Sequence, residues 1–323
     1  MISARRSVRR PRKNNSIVPN KSLGSRPSPS KESMGMELSP ETQTRPKTEG
    51  VSETRVSLLE KSPMSLQKES VELCEAQFAA DIKKLAEKKK IKELGVSDRH
   101  RVAIFDWVVE VLAVYRQNDE TLFRCVALID AYYSKQSSSV SSDVHLTAAA
   151  AISLASKFDN VHYIRLKVLQ ETICQEKFSK EELTDREIEV AAASGFSLAR
   201  PTPIDLLAST LALLPLDFEQ KVFVKKSATM ILRMSLFSKE IEREFSQAEL
   251  SGLSVVLALK IMDQIKSDPK VSAIITWITH RFDFKSGLFF PKLQALHQFT
   301  VQFESIVPQA TSLRRFNTFA KCN

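Results

Sequence analysis

The sequence predicts an all-α protein built from two consecutive sets of five helices. No proline occurs between Met64 and Arg200, and only four glycines follow residue 70. The region therefore has few of the residues that most often break helices or form tight turns. Apolar residues in the same region recur at three- and four-residue intervals, which is the spacing of one face of an α-helix. We therefore expect helices with short connections through most of the chain.

Residues 1–70 differ in composition and are predicted to form a disordered basic tail. They contain seven of the 13 prolines, and 14 lysines and arginines against seven acidic residues. Such a segment buries too little apolar surface to offset the entropy lost on ordering. The remaining 253 residues carry 33 basic and 31 acidic side chains and are nearly neutral. A fold that grips phosphates should carry the excess charge itself, so nucleic-acid binding by the helical body is not expected.

Helical periodicity divides the body into one leading helix and two sets of five. The leading helix covers about residues 73–88, with apolar side chains at Leu73, Phe78, Ile82 and Leu85. The first set is predicted at about 99–116, 120–134, 144–158, 164–175 and 180–193, and the second at about 204–213, 216–237, 247–266, 270–283 and 290–306. The predicted regions are therefore the tail at 1–70, the N-terminal helix and linker at 71–98, and two helical folds at 99–200 and 201–323.

Two helix starts have specific signals. Ser179 and Glu182 have the spacing of a capping box. Thr202 precedes Pro203, which places an N-cap residue before a proline in the first turn. Both signals indicate the start of a helix.

The third helix of each set is apolar and contains small residues. Residues 146–157 include five alanines, and residues 250–260 include Gly252 among leucines and valines. A helix with so few polar positions is buried on most sides. We interpret each as the hub of a five-helix bundle. The alternative is a single irregular helical bundle.

The residue pattern does not favour an enzyme, a metalloprotein or a membrane protein. The sequence has no Gly-rich phosphate loop, nucleophile elbow or metal-binding His pair, so neither catalytic residues nor a cofactor are predicted. Its four cysteines, Cys74, Cys125, Cys174 and Cys322, are dispersed and are read as reduced thiols that mostly fill the core. No apolar run of about 18 residues is present, so no membrane helix is expected.

The segment from His100 to Val111 reads His-Arg-Val-Ala-Ile-Phe-Asp-Trp-Val-Val-Glu-Val, and it closely resembles the opening helix of the cyclin box in A/B-type cyclins. Further matching segments follow in family order at 120–122, 128–130, 155–158, 178–182 and 196–201. The five positions most characteristic of the cyclin box are matched by Arg101, Asp130, Leu146, Lys157 and Glu187. The resemblance is strong over about residues 75–205 and depends on the helix pattern alone beyond that.

This resemblance implies two tandem five-helix cyclin folds. It also implies a non-enzymatic regulatory subunit that binds and allosterically activates a cyclin-dependent serine/threonine kinase, and so controls cell-cycle progression. The alternative is a cyclin-fold transcription-initiation factor that contacts DNA and a polymerase. The nearly neutral body argues against that alternative.

The resemblance also implies roles for individual residues. Lys157 and Glu187 would face the kinase, with Phe158 and Phe196 as apolar contacts beside them. Each assignment has an alternative. Lys157 could complement the dipole of its helix, and Glu187 could be a solvated helix residue. Phe196 could be a core residue. After Phe158 the chain lacks the second acid and both prolines usual in the family, so its choice of kinase is expected to differ.

Arg101 and Asp130 are interpreted as a structural ion pair between the first two helices. The first helix also resembles the patch with which many cyclins hold Arg-x-Leu peptides of substrates. The patch would consist of Ala103, Ile104, Trp107, Glu110, Val144 and His145. His100 replaces the usual Met and His145 stands where Gln is common, which puts ordinary Arg-x-Leu selectivity in question. The alternative is that Trp107 is a core residue.

The tail carries candidate signals. Residues 5–13 form a basic cluster of the nuclear-localisation type or a loose nucleic-acid patch. With no signal-peptide stretch at the N-terminus, the expected location is nucleus and cytoplasm. Ser28, Ser39 and Ser62 each precede a proline and are candidate phosphorylation sites. Residues 55–58 have the minimum form of a cyclin destruction box.

Overall fold

The computed structural model describes residues 63–86, 98–135, 144–265, 268–284 and 287–317, and every regular element in these ranges is a helix. The all-α prediction is therefore confirmed for this part of the chain. The chain forms two compact units, Met1–Lys68 and Glu69–Asn323. Of the first unit, only the opening turns of a helix at 63–68 are described. Ser28, Ser39, Ser62 and the segments 5–13 and 55–58 lie outside the described residues.

The helices follow the predicted order. The N-terminal helix α1 covers Pro63–Ala86. The first set comprises α2 (Asp98–Val114), α3 (Asp119–Lys135), α4 (Val144–Asp159), α5 (Leu166–Val168, continued by a π-helical turn at Leu169–Ile173) and α6 (Lys180–Ala193). The second set comprises α7 (Pro203–Leu213), α8 (Phe218–Ser235), α9 (Lys239–Glu244), α10 (Gln247–Ile265), α11 (Lys270–Arg281), α12 (Phe289–Ile306) and α13 (Thr311–Asn317). Sequence periodicity missed α9 and α13, because so few turns give no clear period.

Helix α1 departs from its prediction at both its start and its apolar face. It begins at Pro63, so residues 63–70 are helical where the tail was expected; a proline fits the first turn, since its missing N–H has no helical partner there. Leu73 is 72% exposed, whereas Phe78 is 1% exposed. The Phe78 ring stacks on Trp277 with centroids 6.3 Å apart and meets Phe282 edge-on at 5.8 Å. Phe78 therefore anchors α1 to the second set of helices.

Both predicted helix starts are found in the structure. The Glu182 N–H donates to Ser179 Oγ at 3.0 Å, and the Ser179 N–H donates to Glu182 Oε2 at 2.7 Å. At α7 the Thr202 N–H donates to Asp205 Oδ2 at 2.8 Å, directly before Pro203. Local sequence therefore determines where α6 and α7 begin.

The two apolar helices are the hubs of their sets, as predicted. Helix α4 packs against α2, α3 and α6, and its four consecutive alanines, residues 148–151, are completely buried. Helix α10 packs against α7, α8, α11 and α12. A Cβ atom at Gly252 would lie 3.0 Å from the Phe282 ring, so glycine is needed for this close approach. Small side chains let the surrounding helices come close to both hubs.

Two of the three described cysteines fill the core. Cys125 and Cys174 are buried, and burial raises the pKa of both thiols, for Cys174 to about 11. Cys74 is exposed on α1, so the core-filling interpretation is wrong for that residue. Cys322 lies outside the described residues.

Arg101 joins the two helix sets. Its Nη2 atom lies 3.6 Å from Asp130 Oδ1 on α3, as the proposed structural pair requires. The same guanidinium also pairs with Glu242 on α9, and it lies 4.2 Å from the centre of the Phe105 ring. Arg101 is 5% exposed, so its charge is compensated inside the protein by carboxylates from both sets.

Replacing Arg101 with alanine should lower the free energy of unfolding by about 3–5 kcal/mol, because two nearly buried carboxylates would lose their shared cation. The measurement is urea unfolding followed by circular dichroism. Lys167→Ala is the control, since its pair with Glu171 is exposed and should contribute less than about 1 kcal/mol. Similar losses in both variants would contradict the assigned role.

Candidate partner-binding site

Lys157 and Glu187 lie side by side. Lys157 is in the last turn of α4 and Glu187 is in α6, which packs directly against α4. Lys157 Nζ donates to Glu187 Oε1 at 2.9 Å and to Oε2 at 2.8 Å. The lysine side chain is 39% exposed and the glutamate side chain 11%. The two charges therefore compensate each other at the surface, in a pair that leaves part of the ammonium accessible.

Exposed apolar side chains neighbour both residues of this ion pair in sequence. Phe158, next to Lys157, and Ile188, next to Glu187, are exposed. Phe196 is 71% exposed, and its backbone is in the left-handed region with φ 54°, directly after Gly195 at φ 68°. This backbone conformation is costly for a residue with a side chain. An exposed aromatic ring held in this way is typical of a contact surface rather than of a core, which disfavours the core alternative for Phe196.

The loop after α4 is held by a partly buried network of hydrogen bonds. Ser156 Oγ donates to Gln117 Oε1 at 2.9 Å and accepts from the Ile164 N–H at 2.7 Å. Asn160 Nδ2 donates to Thr121 Oγ1 at 2.7 Å. Hydrogen bonds therefore restrain this loop, which lacks the prolines usual in the family. The Val161 side chain is exposed.

A second ion pair lies beneath Phe158. Arg124 Nε is 2.9 Å from both Asp159 carboxylate oxygens, and these side chains are only 9% and 8% exposed. Burial raises the pKa of the Asp159 carboxyl, and the Arg124 charge and hydrogen bonds oppose that shift. Sequence reasoning missed Arg124; the available signal was a single arginine within the apolar run from Leu122 to Val126.

The residues of the suggested docking patch lie on α2 and at the start of α4. Trp107 meets His145 edge-on with ring centroids 4.4 Å apart. Trp107 is partly exposed and also packs against the core, and Ala103 is exposed. Ile104, Glu110 and His145 are also partly exposed, whereas Val144 is buried and adds little surface.

The C-terminal helix of the chain lies against α2 beside this patch. Asp106 caps α13: its carboxylate accepts from the Ser312 N–H at 2.7 Å and from Thr311 Oγ1 at 3.0 Å. Leu313 is completely buried. Arg315 Nη1 lies 3.8 Å from Glu110, the acidic residue of the patch. No periodic pattern marked this contact in the sequence.

The free energy of unfolding should depend on His145 between pH 6.5 and 4. Burial, and secondarily the Lys177 charge, lower the pKa of His145 to about 4. The unfolded chain binds this proton more readily, so the stabilisation is complete above pH 6.5 and is lost as the pH falls toward 4. We expect the free energy of unfolding to fall by about 1–2 kcal/mol through this effect. This is less than the full pKa shift implies, because the ring is partly exposed.

Urea unfolding at pH 7 and pH 4.5 measures this effect. His145→Gln should lose less stability on acidification than the wild type, because glutamine does not titrate. Equal losses in the two proteins would show that His145 is not responsible.

The described residues include neither a group of three or more potential metal ligands nor a helix long and apolar enough to cross a membrane.

In sequence, residues 72–199 match the model of the family described as "Cyclin, N-terminal domain". The chain is 29% identical over 179 residues to the G2/mitotic-specific cyclin-B3 of Caenorhabditis elegans, covering 54% of this chain and 43% of that protein. It is 25% identical over 186 residues to the G2/mitotic-specific cyclin-A of Drosophila melanogaster, covering 58% and 37%. The match thus spans less than half the length of either relative.

Among solved structures, the fold is similar to that of a viral cyclin from herpesvirus saimiri. The TM-score is 0.57 at 15% identity, with 74% of this chain and 99% of the viral chain covered. At that identity the likeness concerns the fold alone.

Proposed function

Because the chain is a member of the cyclin family, we propose that it is a non-enzymatic regulatory subunit that binds and activates a cyclin-dependent protein kinase. The observation that carries this proposal is the Lys157–Glu187 pair at the surface, together with the exposed side chains of its sequence neighbours Phe158 and Ile188. The kinase-binding residues are Lys157, Glu187, Phe158 and Phe196. We place the protein in the nucleus and the cytoplasm.

The geometry favours a partner that covers this surface. Phe158, Ile188 and Phe196 offer apolar area to bury, and exposed apolar surface of this kind marks protein interaction sites. Lys157 and Glu187 already compensate each other, so covering them leaves neither charge alone. The ammonium has three donors and the carboxylate several acceptor sites, so both can also bond to backbone groups of the partner.

Activation would follow from selective binding. A protein kinase needs a Lys–Glu ion pair in place before it positions the ATP phosphates. A regulatory subunit that binds only the conformer with this pair formed shifts the kinase population toward it. The rigid packing of α4 against α6 supports this role, because it keeps the binding residues in one arrangement.

The direct test is purification of the chain from cells with its bound kinases, followed by assay of each kinase with and without added chain. We expect at least one cyclin-dependent kinase to co-purify and to gain activity. If kinases co-purify but the added chain does not raise their activity, the proposed activation would be refuted and the proposed binding would stand. Recovery of no kinase would overturn the whole proposal.

We also propose that the patch around Trp107 docks peptides of the Arg-x-Leu type. The partly exposed Trp107 and Ile104 provide apolar contact, and Glu110 is available to a basic side chain. Arg315 of the chain itself lies near Glu110, so a peptide arginine must displace it. Docking should therefore be weak and decrease with salt.

A further inference from the structure

One buried arginine contacts three separate parts of the proposed kinase-binding surface. Arg124 Nε binds both oxygens of Asp159 at the end of α4. Arg124 Nη1 donates to the Leu198 carbonyl and, at 3.3 Å, to the Arg200 carbonyl. Its guanidinium carbon lies 4.5 Å from the centre of the Phe158 ring. The arginine comes from α3, which contributes no other residue to that surface in our assignment.

These contacts restrain Phe158 and the backbone close to Phe196. Phe158 lies on the guanidinium itself. Phe196 is two residues before Leu198, whose carbonyl the same guanidinium holds. Residues 197–202 are outside any helix, and the Leu198 side chain packs against the core, so the Arg124 bonds add to that restraint on the segment between α6 and α7. Arg124 therefore connects both sides of the surface to the rigid hub of the first helix set.

We propose that Arg124 is a positioning residue for kinase binding, which holds Phe158 and the backbone after Phe196 in the arrangement that the kinase contacts. This inference rests on the proposed function, because it assumes that the surface around Lys157 is the one the kinase covers. Arg124 itself is too deeply buried to be a principal contact. It acts through Phe158 and the 198–200 backbone.

Arginine suits this role and lysine does not. A guanidinium has five N–H donors in a fixed plane, so one edge binds a carboxylate while other donors reach carbonyl groups, and its face stacks on an aromatic ring. A lysine at position 124 can keep the charge beside Asp159. It cannot reach the two carbonyls and stack on Phe158 at the same time.

The test measures the dissociation constant of the co-purified kinase for four proteins: wild type, Arg124→Lys, Phe158→Ala and the double variant. We expect Arg124→Lys to weaken binding about tenfold, since two contact groups must then be ordered on binding. In the Phe158→Ala background the same substitution should weaken binding no more than about threefold, because part of its effect passes through that ring. If Arg124 had a purely structural role, Arg124→Lys would weaken kinase binding by the same factor with and without Phe158→Ala. That result would overturn the proposal.

Arg281→Lys is the matched control. Arg281 also lies near a carboxylate, 3.9 Å from Glu75, and over a phenylalanine ring, 5.6 Å from Phe78, but it is on the second helix set. Kinase affinity should be unchanged in this variant. An equal loss in Arg281→Lys and Arg124→Lys would point to general destabilisation and overturn the proposal.

A second variant covers the case in which Arg124→Lys fails to fold. Arg124→Leu/Asp159→Leu removes both buried charges together, and such replacements are often neutral or stabilising. It should unfold at a urea concentration close to that of the wild type but bind the kinase about tenfold more weakly. Unchanged affinity would overturn the inference. If Lys157→Ala/Glu187→Ala also left affinity unchanged, the assigned surface itself would be wrong.

Discussion

Replacing Lys157 and Glu187 together by alanine should weaken binding to the proposed partner kinase by about 30-fold to several thousand-fold, which corresponds to about 2–5 kcal/mol. The two side chains form one ion pair at the protein surface, where a bound partner would exclude water. Kinase activation, measured at one subsaturating concentration of the chain, should fall together with the affinity. Isothermal titration and a kinase assay measure the two effects.

The double substitution is more informative than either single one. Lys157→Ala alone would leave Glu187, with an 11% exposed side chain, without the cation that compensates it, and would destabilise the fold as well as the complex. The double variant leaves no unpaired charge, so its thermal unfolding should stay close to that of the wild type. Kinase affinity that stays within threefold of the wild type would rule out this surface.

A similar pair elsewhere in the chain provides the control. Lys292 and Glu249 form a partly buried ion pair in the second helix set. Replacing both by alanine removes the same chemical groups at a place without assigned partner contacts. Some stability will be lost, because Glu249 also bonds to Ser246 at the start of α10. Kinase affinity should be unchanged.

Phe78→Ala should lower the free energy of unfolding by about 3–5 kcal/mol, the usual range for removing a buried phenylalanine. The Phe78 ring fills the space between Trp277 and Phe282, and Arg281 lies over it. Phe282 in turn packs on Gly252 of the hub α10, so the cavity would open beside the core of the second set. Urea unfolding measures the loss.

Hydrogen exchange on α1 distinguishes a local from a global effect. If Phe78 is the anchor, the amides of α1 should lose protection before those of α10 in the variant. Leu73→Ala on the same helix is the control, since Leu73 is exposed and its replacement should change stability by less than about 0.5 kcal/mol. A Phe78→Ala protein within 1 kcal/mol of the wild type would show that α1 is held by other contacts.

The sequence was most informative where the determinant of structure is local. The capping box at Ser179, the order of the long helices and the two hubs were all predicted from residues close together in the chain, and the structure has them. The short helices α9 and α13 were missed because too few turns give no period. Leu73 was wrongly placed on the apolar face of α1, since periodicity alone does not identify which helix face meets a neighbour.

By itself, the sequence determined the helical class, the two consecutive sets and the family motif, because helix spacing, capping and glycine or proline placement act within a few residues. Only the tertiary structure decided the partners of the charged groups. Arg124 meets Asp159 35 positions away, Arg101 meets Glu242 141 positions away, and Asp106 caps a helix 206 positions away. A charge in a sequence pattern has many possible partners, and the one it acquires depends on which helices pack together and exclude water from it.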